Sequence, residues 1–219
     1  MKHRTIRQFL WGVLVIVTAG VLAAAFWPRL GAKPRHGGWD QRLLEGLENF
    51  GTVPDFSLTE RSGKQIKLLD LQGKIWIANF IYTNCKDTCP LQSAEMAGIQ
   101  NDLMDKAEVK LVSISVDPER DTPQALSRYA DRFKADPDHW LFLTGEKREI
   151  YRLAQEGFHL SAVSASNVGP ENDASILHSA RFVLIDGKAR IRGYYQGTDA
   201  EAMKRLRRDL KKLLRRDMR

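Results

Sequence analysis

The sequence predicts an α/β fold, a central mixed β-sheet flanked by helices, preceded by a membrane anchor. Three observations carry the prediction. Residues 75–82 (IWIANFIY) form a nearly unbroken apolar run, the pattern of a strand covered on both faces, and residues 109–116 read as a second buried strand. Between them, Leu91, Ala94, Met96, Ala97, Ile99, Leu103 and Met104 recur at helical spacing. Residues 10–27 (LWGVLVIVTAGVLAAAFW) carry no charge, and Thr18 is their one polar side chain.

Taken from the N-terminus, the first eight residues hold Lys2, Arg4 and Arg7, which keep them in the cytoplasm. Residues 9–27 follow as a transmembrane anchor: about 18 residues at ~1.5 Å each reach roughly 27 Å, enough for a bilayer core. Trp11 and Trp27 flank the span as interfacial aromatics do. A cleaved signal peptide is the competing reading, with Ala23-Ala24-Ala25 as the cleavage pattern. The apolar run continues through Phe26 and Trp27, which favours the anchor. Both readings export the remainder. With no long Arg/Ser-rich presequence, the expected location is a bacterial inner membrane, single-pass, with the soluble part in the periplasm. Residues 28–50, with Pro28, Gly31, Pro34, Gly37 and Gly38, read as a tether, and residues 51–219 as the folded domain.

In that domain, residues 56–59 and 65–68 flank Gly63 as a hairpin. The strand 75–82 follows, then the two cysteines, then a helix from Pro90 to about Ala107 and the strand 109–116. Thr122-Pro123 opens a helix, with Thr as N-cap and Pro at the first helical position. Residues 140–143 form a short strand, and 146–156 a helix that Gly157 stops. Residues 161–175, rich in Ser, Asn, Gly and Pro, are a loop. Residues 181–185 and 189–195 pair across Asp186-Gly187, and a helix from about Ala200 closes the chain. This is a thioredoxin-like order. Its right-handed crossover puts the cysteines at the carboxyl end of a central strand, where open α/β sheets place their sites.

Composition narrows the function. Of 219 residues, 43% are hydrophobic and 28% charged, ordinary for a globular domain of this size. The net charge of +7 concentrates toward the C-terminus, and no nucleic-acid motif accompanies it. The two cysteines, Cys85 and Cys89, close too short a loop to brace a fold, so their proximity argues for a redox couple or a metal site. They sit in a polar segment, Tyr82-Thr83-Asn84-Cys85-Lys86-Asp87-Thr88-Cys89-Pro90, which argues against an inert core pair. At i and i+4 of a helix they share a face, about 5–6 Å apart at Cβ. That allows two thiolates on one metal, or a disulfide after local adjustment. The helix N-terminus and Lys86 are expected to lower a thiol pKa.

Other groups take plainer readings. His139 and His159 suit surface or packing roles; His3 and His36 lie in the N-terminal segments. Asp117 and Asp121 form a carboxylate pair, but Asp117-Pro118 reads as a turn and Asp121 as a charge before a helix N-terminus. Residues 204–219 (KRLRRDLKKLLRRDMR) combine Leu206, Leu210, Leu213 and Leu214 with a basic face. A core-packing helix with a solvated face accounts for them; a landing surface for anionic lipid or an acidic partner is the alternative.

At this point the sequence resembles the Sco/SenC copper proteins, from about Val53 to the last helix. Four motifs carry the resemblance: Cys85, Cys89 and Pro90; the turn Ser115 to Pro123 (SVDPERDTP); Trp140 to Gly145; and His178 through Gly187. The resemblance implies a thioredoxin-like metallochaperone that binds one copper, Cu(I) or Cu(II), through Cys85, Cys89 and His178. It would assist assembly of the CuA centre of cytochrome c oxidase. The implied partners are the CuA subunit, a copper donor and a thiol reductant, with no nucleic acid. Soft thiolates suit Cu(I), and three ligands leave a position open for transfer. Lys86 stands where many members carry Pro, and Leu177 where many carry an acid. The same redox dithiol, Cys85 and Cys89, also fits a thiol–disulfide oxidoreductase that reduces the CuA subunit. A peroxidase ranks third, because Thr83 is only two positions before Cys85. The loop 161–177 is expected to order when metal binds.

Overall fold

A computed structural model describes residues 47–103, 108–160 and 180–217. Its centre is the run IWIANFI, strand β3 (Ile75–Ile81), buried at every position. Alternation splits its side chains: Trp76, Ala78 and Phe80 enter one core, and Ile75, Ile77 and Ile81 the other. A strand with two buried faces needs neighbours on both edges. β3 pairs in parallel with β4 (Val109–Ser115), from Ile75 opposite Val109 to Ile81 opposite Ser115, and antiparallel with β6 (Arg181–Ile185).

The hairpin expected around Gly63 is present as β1 (Ser57–Glu60) and β2 (Gln65–Lys67), with one helical turn, α1 (Leu68–Leu71), after it. β5 (Trp140–Thr144) lies parallel to β4, and β7 (Ile191–Gln196) pairs antiparallel with β6. The seven-stranded order is β2-β1-β5-β4-β3-β6-β7. The thioredoxin-like α/β prediction therefore holds for the folded domain. The anchor, the first part of the tether, residues 161–179 and His178 among them lie outside the described residues. Among those described, no helix is long and apolar enough to cross a membrane.

Helix α2 (Thr88–Asp102) crosses from β3 to β4, and α5 (Ala200–Asp217) packs beside it through Met203, Leu206, Leu210 and Leu213. α3 (Pro123–Arg132) starts as its sequence predicts, Thr122 Oγ1 accepting from Ala125 N–H at 3.3 Å.

Two local expectations need correction. The helix from Glu146 is α4 (Lys147–Arg152) followed by a π-helical turn, Leu153–Gly157. Gly157 is not its left-handed stop; the positive φ falls on His159 at 49°. Gly157 is small for another reason: a Cβ there would meet Pro54 Cδ at 2.8 Å and Leu153 Cδ1 at 3.0 Å. Gly157→Ala is therefore expected to cost about 1–3 kcal/mol through overpacking. A urea melt should show a lowered midpoint with an unchanged slope; an unchanged midpoint would remove this reason for the glycine. The β6–β7 turn also differs from a two-residue Asp-Gly turn. It runs from Asp186 to Arg190, and Ala189 carries the positive φ, 58°. The Asp186 carboxylate holds it, accepting from the Lys188 and Arg190 N–H groups, each at 3.0 Å.

Candidate metal and redox site

The polypeptide leaves β3 at Ile81, turns with Cys85 N–H donating to Tyr82 C=O at 3.2 Å, and enters α2 at Thr88. A helix start leaves N–H groups unsatisfied. The N-cap residue, Asp87, makes no side-chain capping bond. The Cys85 sulfur fills the role: Cys89 N–H donates to Cys85 Sγ at 3.4 Å. Both cysteines are reduced, and they are 6% and 4% exposed, packed into the α2 side of the core. They are thus more buried than their polar neighbours suggest, at the edge of an apolar cluster and under a polar turn.

Their surroundings split the two thiols. Burial pushes Cys85 up, but donation from the Cys89 and Asp87 backbone N–H groups, the Cys89 thiol and the Tyr82 hydroxyl outweighs it, and the thiol ends below its ordinary range. Cys89 is pushed up to about 12, first by burial. A backbone bond at Tyr82 opposes this, while the Cys85 thiol and the negative charges of Cys85 and Asp121 add to it. Tyr82 is raised too, by burial and then by its bond to Cys85. The lowering comes chiefly from helix-start N–H groups, as expected, then from the Cys89 thiol and the Tyr82 hydroxyl; exposed Lys86 is not among these leading contributors.

The residue that the sequence reading undervalued is Asp121. It is 1% exposed. Its Oδ1 accepts from the Thr83 hydroxyl at 2.5 Å, and its Oδ2 from Thr83 N–H at 3.0 Å and the Ser115 hydroxyl at 2.5 Å. One carboxylate thus clamps the cysteine turn to the end of β4, across the carboxyl ends of two parallel strands. Asp117 is the turn residue expected, its N–H on Ser115 Oγ and its carboxylate 3.3 Å from Arg120. A second buried polar link runs behind α2. Trp140 Nε1 donates to Ser113 Oγ, Ser113 Oγ to Asn79 Oδ1, and Asn79 Nδ2 to Gln92 Oε1, at 3.0, 2.7 and 3.2 Å.

His139 takes the plain role foreseen for it. Its ring meets Asp136 at 3.0 Å, ahead of β5. Through Leu111 that end of β5 lies level with Ile77, four residues or roughly 13 Å before the end of β3. His159 is exposed on its left-handed turn against Gly51. Among the described residues, no three His, Cys, Asp or Glu side chains cluster as a metal site. The structure thus brings Cys85 and Cys89 together, while the third expected ligand, His178, lies outside the described residues. Two facing reduced sulfurs fit a soft metal ion, or a reversible disulfide.

Comparison with known proteins gives concordant matches. The family model described as SCO1/SenC matches residues 45–215. An SCO1 protein homolog of Bacillus subtilis is 33% identical over 161 residues, covering 73% of this chain and 80% of the relative. The solved structure of BsSco, described as a member of the Sco family of cytochrome c oxidase assembly proteins with a disulfide switch, is 31% identical. Its TM-score is 0.64, with 79% of this chain and 98% of that one covered. Bradyrhizobium japonicum ScoI with copper bound is 30% identical, with a TM-score of 0.55, covering 72% and 99%.

Proposed function

The chain belongs to the SCO1/SenC family, and from that premise we propose that it is a copper metallochaperone that assists assembly of the CuA centre of cytochrome c oxidase. Cys85 and Cys89 supply two thiolates and His178 an imidazole, holding one copper per chain. The domain stands in the periplasm on a single N-terminal span of the bacterial inner membrane, and works with the CuA subunit, a copper donor and a thiol reductant.

The observation that carries this reading is the pair of reduced sulfurs at the start of α2, one of them capping the helix. Copper supplies the centre to be transferred. The protein keeps Cys85 toward its thiolate form, holds Cys89 within reach and fixes the turn through Asp121. A disulfide offers copper no strong ligand, so the dithiol gates loading. In an oxidising compartment a reductant must act first.

Copper titration of Arg42–Arg219, the unit that holds all seven strands and both core clusters, tests the reading. The reduced form should take up one copper with two sulfurs and one nitrogen by X-ray absorption, and the disulfide form almost none. An all-oxygen shell, or equal binding by the disulfide form, would sink it.

A second reading has its own observation. One thiol lowered beside one raised is the pattern of an attacking and a resolving cysteine, as a thiol–disulfide oxidoreductase for the CuA subunit requires. Rapid turnover of a general disulfide substrate by copper-free protein would put it first.

A further inference from the structure

Helix α5 packs one face into the core and leaves the other to a row of cations. Lys204, Arg208, Lys211 and Arg215 are exposed and follow at i, i+4, i+7 and i+11. At ~100° per residue they fall within about 60° of one another, on the side opposite buried Leu206, Leu210 and Leu213, and extend roughly 16 Å. With Arg207 and Lys212 they line one shallow groove that has no acidic residue in its wall.

The neighbouring cations are compensated. Arg207 meets Glu95 at 3.2 Å and Asp102 at 3.1 Å, Lys212 meets Asp209 at 2.7 Å, and Lys204 meets Glu201 at 2.7 Å. Arg208, Lys211 and Arg215 have no such partner among the described residues. A solvated helix face is normally laced with both signs; here three unpaired like charges share one line.

We propose that this face docks on a bilayer surface carrying anionic phospholipid. The groove is open and lined by long flexible cations, with no buried donor that would select a single small anion. It matches an array of phosphates instead. Its apolar side is already spent on the core, so the contact is electrostatic and the helix does not insert. The proposal draws on the anchor of the functional reading in one respect. The tether expected over residues 28–50, 23 residues long, would keep the domain close enough to the bilayer for a weak contact to be populated. Docking would also orient the site. Arg207 lies against the second half of α2, where Glu95 and Asp102 stand roughly 9 and 20 Å along the helix from Cys89. The flank of the cationic stripe thus runs beside the second half of α2, and the cysteine turn lies at the other end of that helix.

The test needs neither anchor nor copper, so its failure is distinct from failure of the copper reading. Arg42–Arg219 is sedimented with phosphatidylcholine vesicles, with and without phosphatidylglycerol. Wild-type protein should bind the phosphatidylglycerol vesicles alone, and raised salt should release it. The triple variant Arg208→Gln/Lys211→Gln/Arg215→Gln should bind on the order of 100-fold more weakly, since each cation near an anionic surface is worth about five-fold. A circular-dichroism melt of the variant should match wild type, because none of the three has a partner to lose. Equal binding to both vesicle types, or by the triple variant, overturns the proposal. So does displacement by inorganic phosphate at constant ionic strength, which would mean a discrete anion pocket. Binding to polyglutamate but not to vesicles would assign the face to an acidic protein and equally overturn it.

Discussion

Serine at Cys85 or Cys89 is expected to abolish tight copper binding by the reduced domain, with a loss well beyond the ~100-fold that removal of an outer-shell partner causes. A single thiolate beside an imidazole is a poor site for soft Cu(I), and a hydroxyl does not replace a thiolate for it. The fold should survive both changes. Serine is close in size to cysteine, and neither sulfur braces the chain through a disulfide. Competition with a chromophoric Cu(I) chelator reads the affinity, and a thermal melt reads the fold. His178→Ala is expected to divide the two oxidation states, weakening Cu(II) more than Cu(I), because two thiolates can still hold Cu(I) linearly. Near-wild-type Cu(I) affinity in a single serine variant would take the dithiol out of the metal site. Equal losses of Cu(I) and Cu(II) in His178→Ala would count against the histidine assignment.

How much of this was legible follows from what each residue depends on. β3 could be read because both of its faces are apolar, a property of seven consecutive residues. The start of α3 could be read because Thr122 and Pro123 act on their own backbone. Asp121 could not. Its donors, Thr83 and Ser115, come from two other segments, one of them 38 positions away, and only the parallel pairing of β3 with β4 brings them together. Asn79 was hidden differently. It sits inside an apolar run, and nothing local announces that Gln92 and Ser113 will satisfy it. The positive φ at Ala189 escaped notice because the Asp186-Gly187 pair draws attention to the wrong residue; the Asp186 carboxylate sets that turn. At the site, the cysteine spacing announced a shared helix face. The thiol-lowering contacts, in contrast, belong to the backbone, which sequence shows only through the element it forms.

The division between the two thiols yields the second large effect. A small alkylating reagent at pH 8 should modify Cys85 far faster than Cys89. The thiolate is the reacting form. With Cys89 pushed up to about 12, its thiolate fraction at pH 8 is on the order of 10⁻⁴. Cys85, below its ordinary value of 9.0, offers at least ~10⁻¹. A more basic thiolate is the better nucleophile, and with a Brønsted slope of about 0.4–0.5 the difference returns roughly 15–30-fold of that ratio. A preference of at least ~30-fold for Cys85 remains. Access does not explain it, because the two residues are similarly covered at 6% and 4%. The sign of the pH dependence follows from the same contacts. Modification of Cys85 should reach its plateau at a lower pH than that of an ordinary thiol, while that of Cys89 keeps rising toward pH 12. In Cys89→Ser the backbone N–H at position 89 still points at the Cys85 sulfur, so Cys85 should stay more acidic than an ordinary thiol. Peptide mapping after timed alkylation reads the two rates separately. Equal rates at pH 8, or a faster Cys89, would mean that the helix start does not select the attacking thiol. The sulfur that caps α2 would then be a structural cap only.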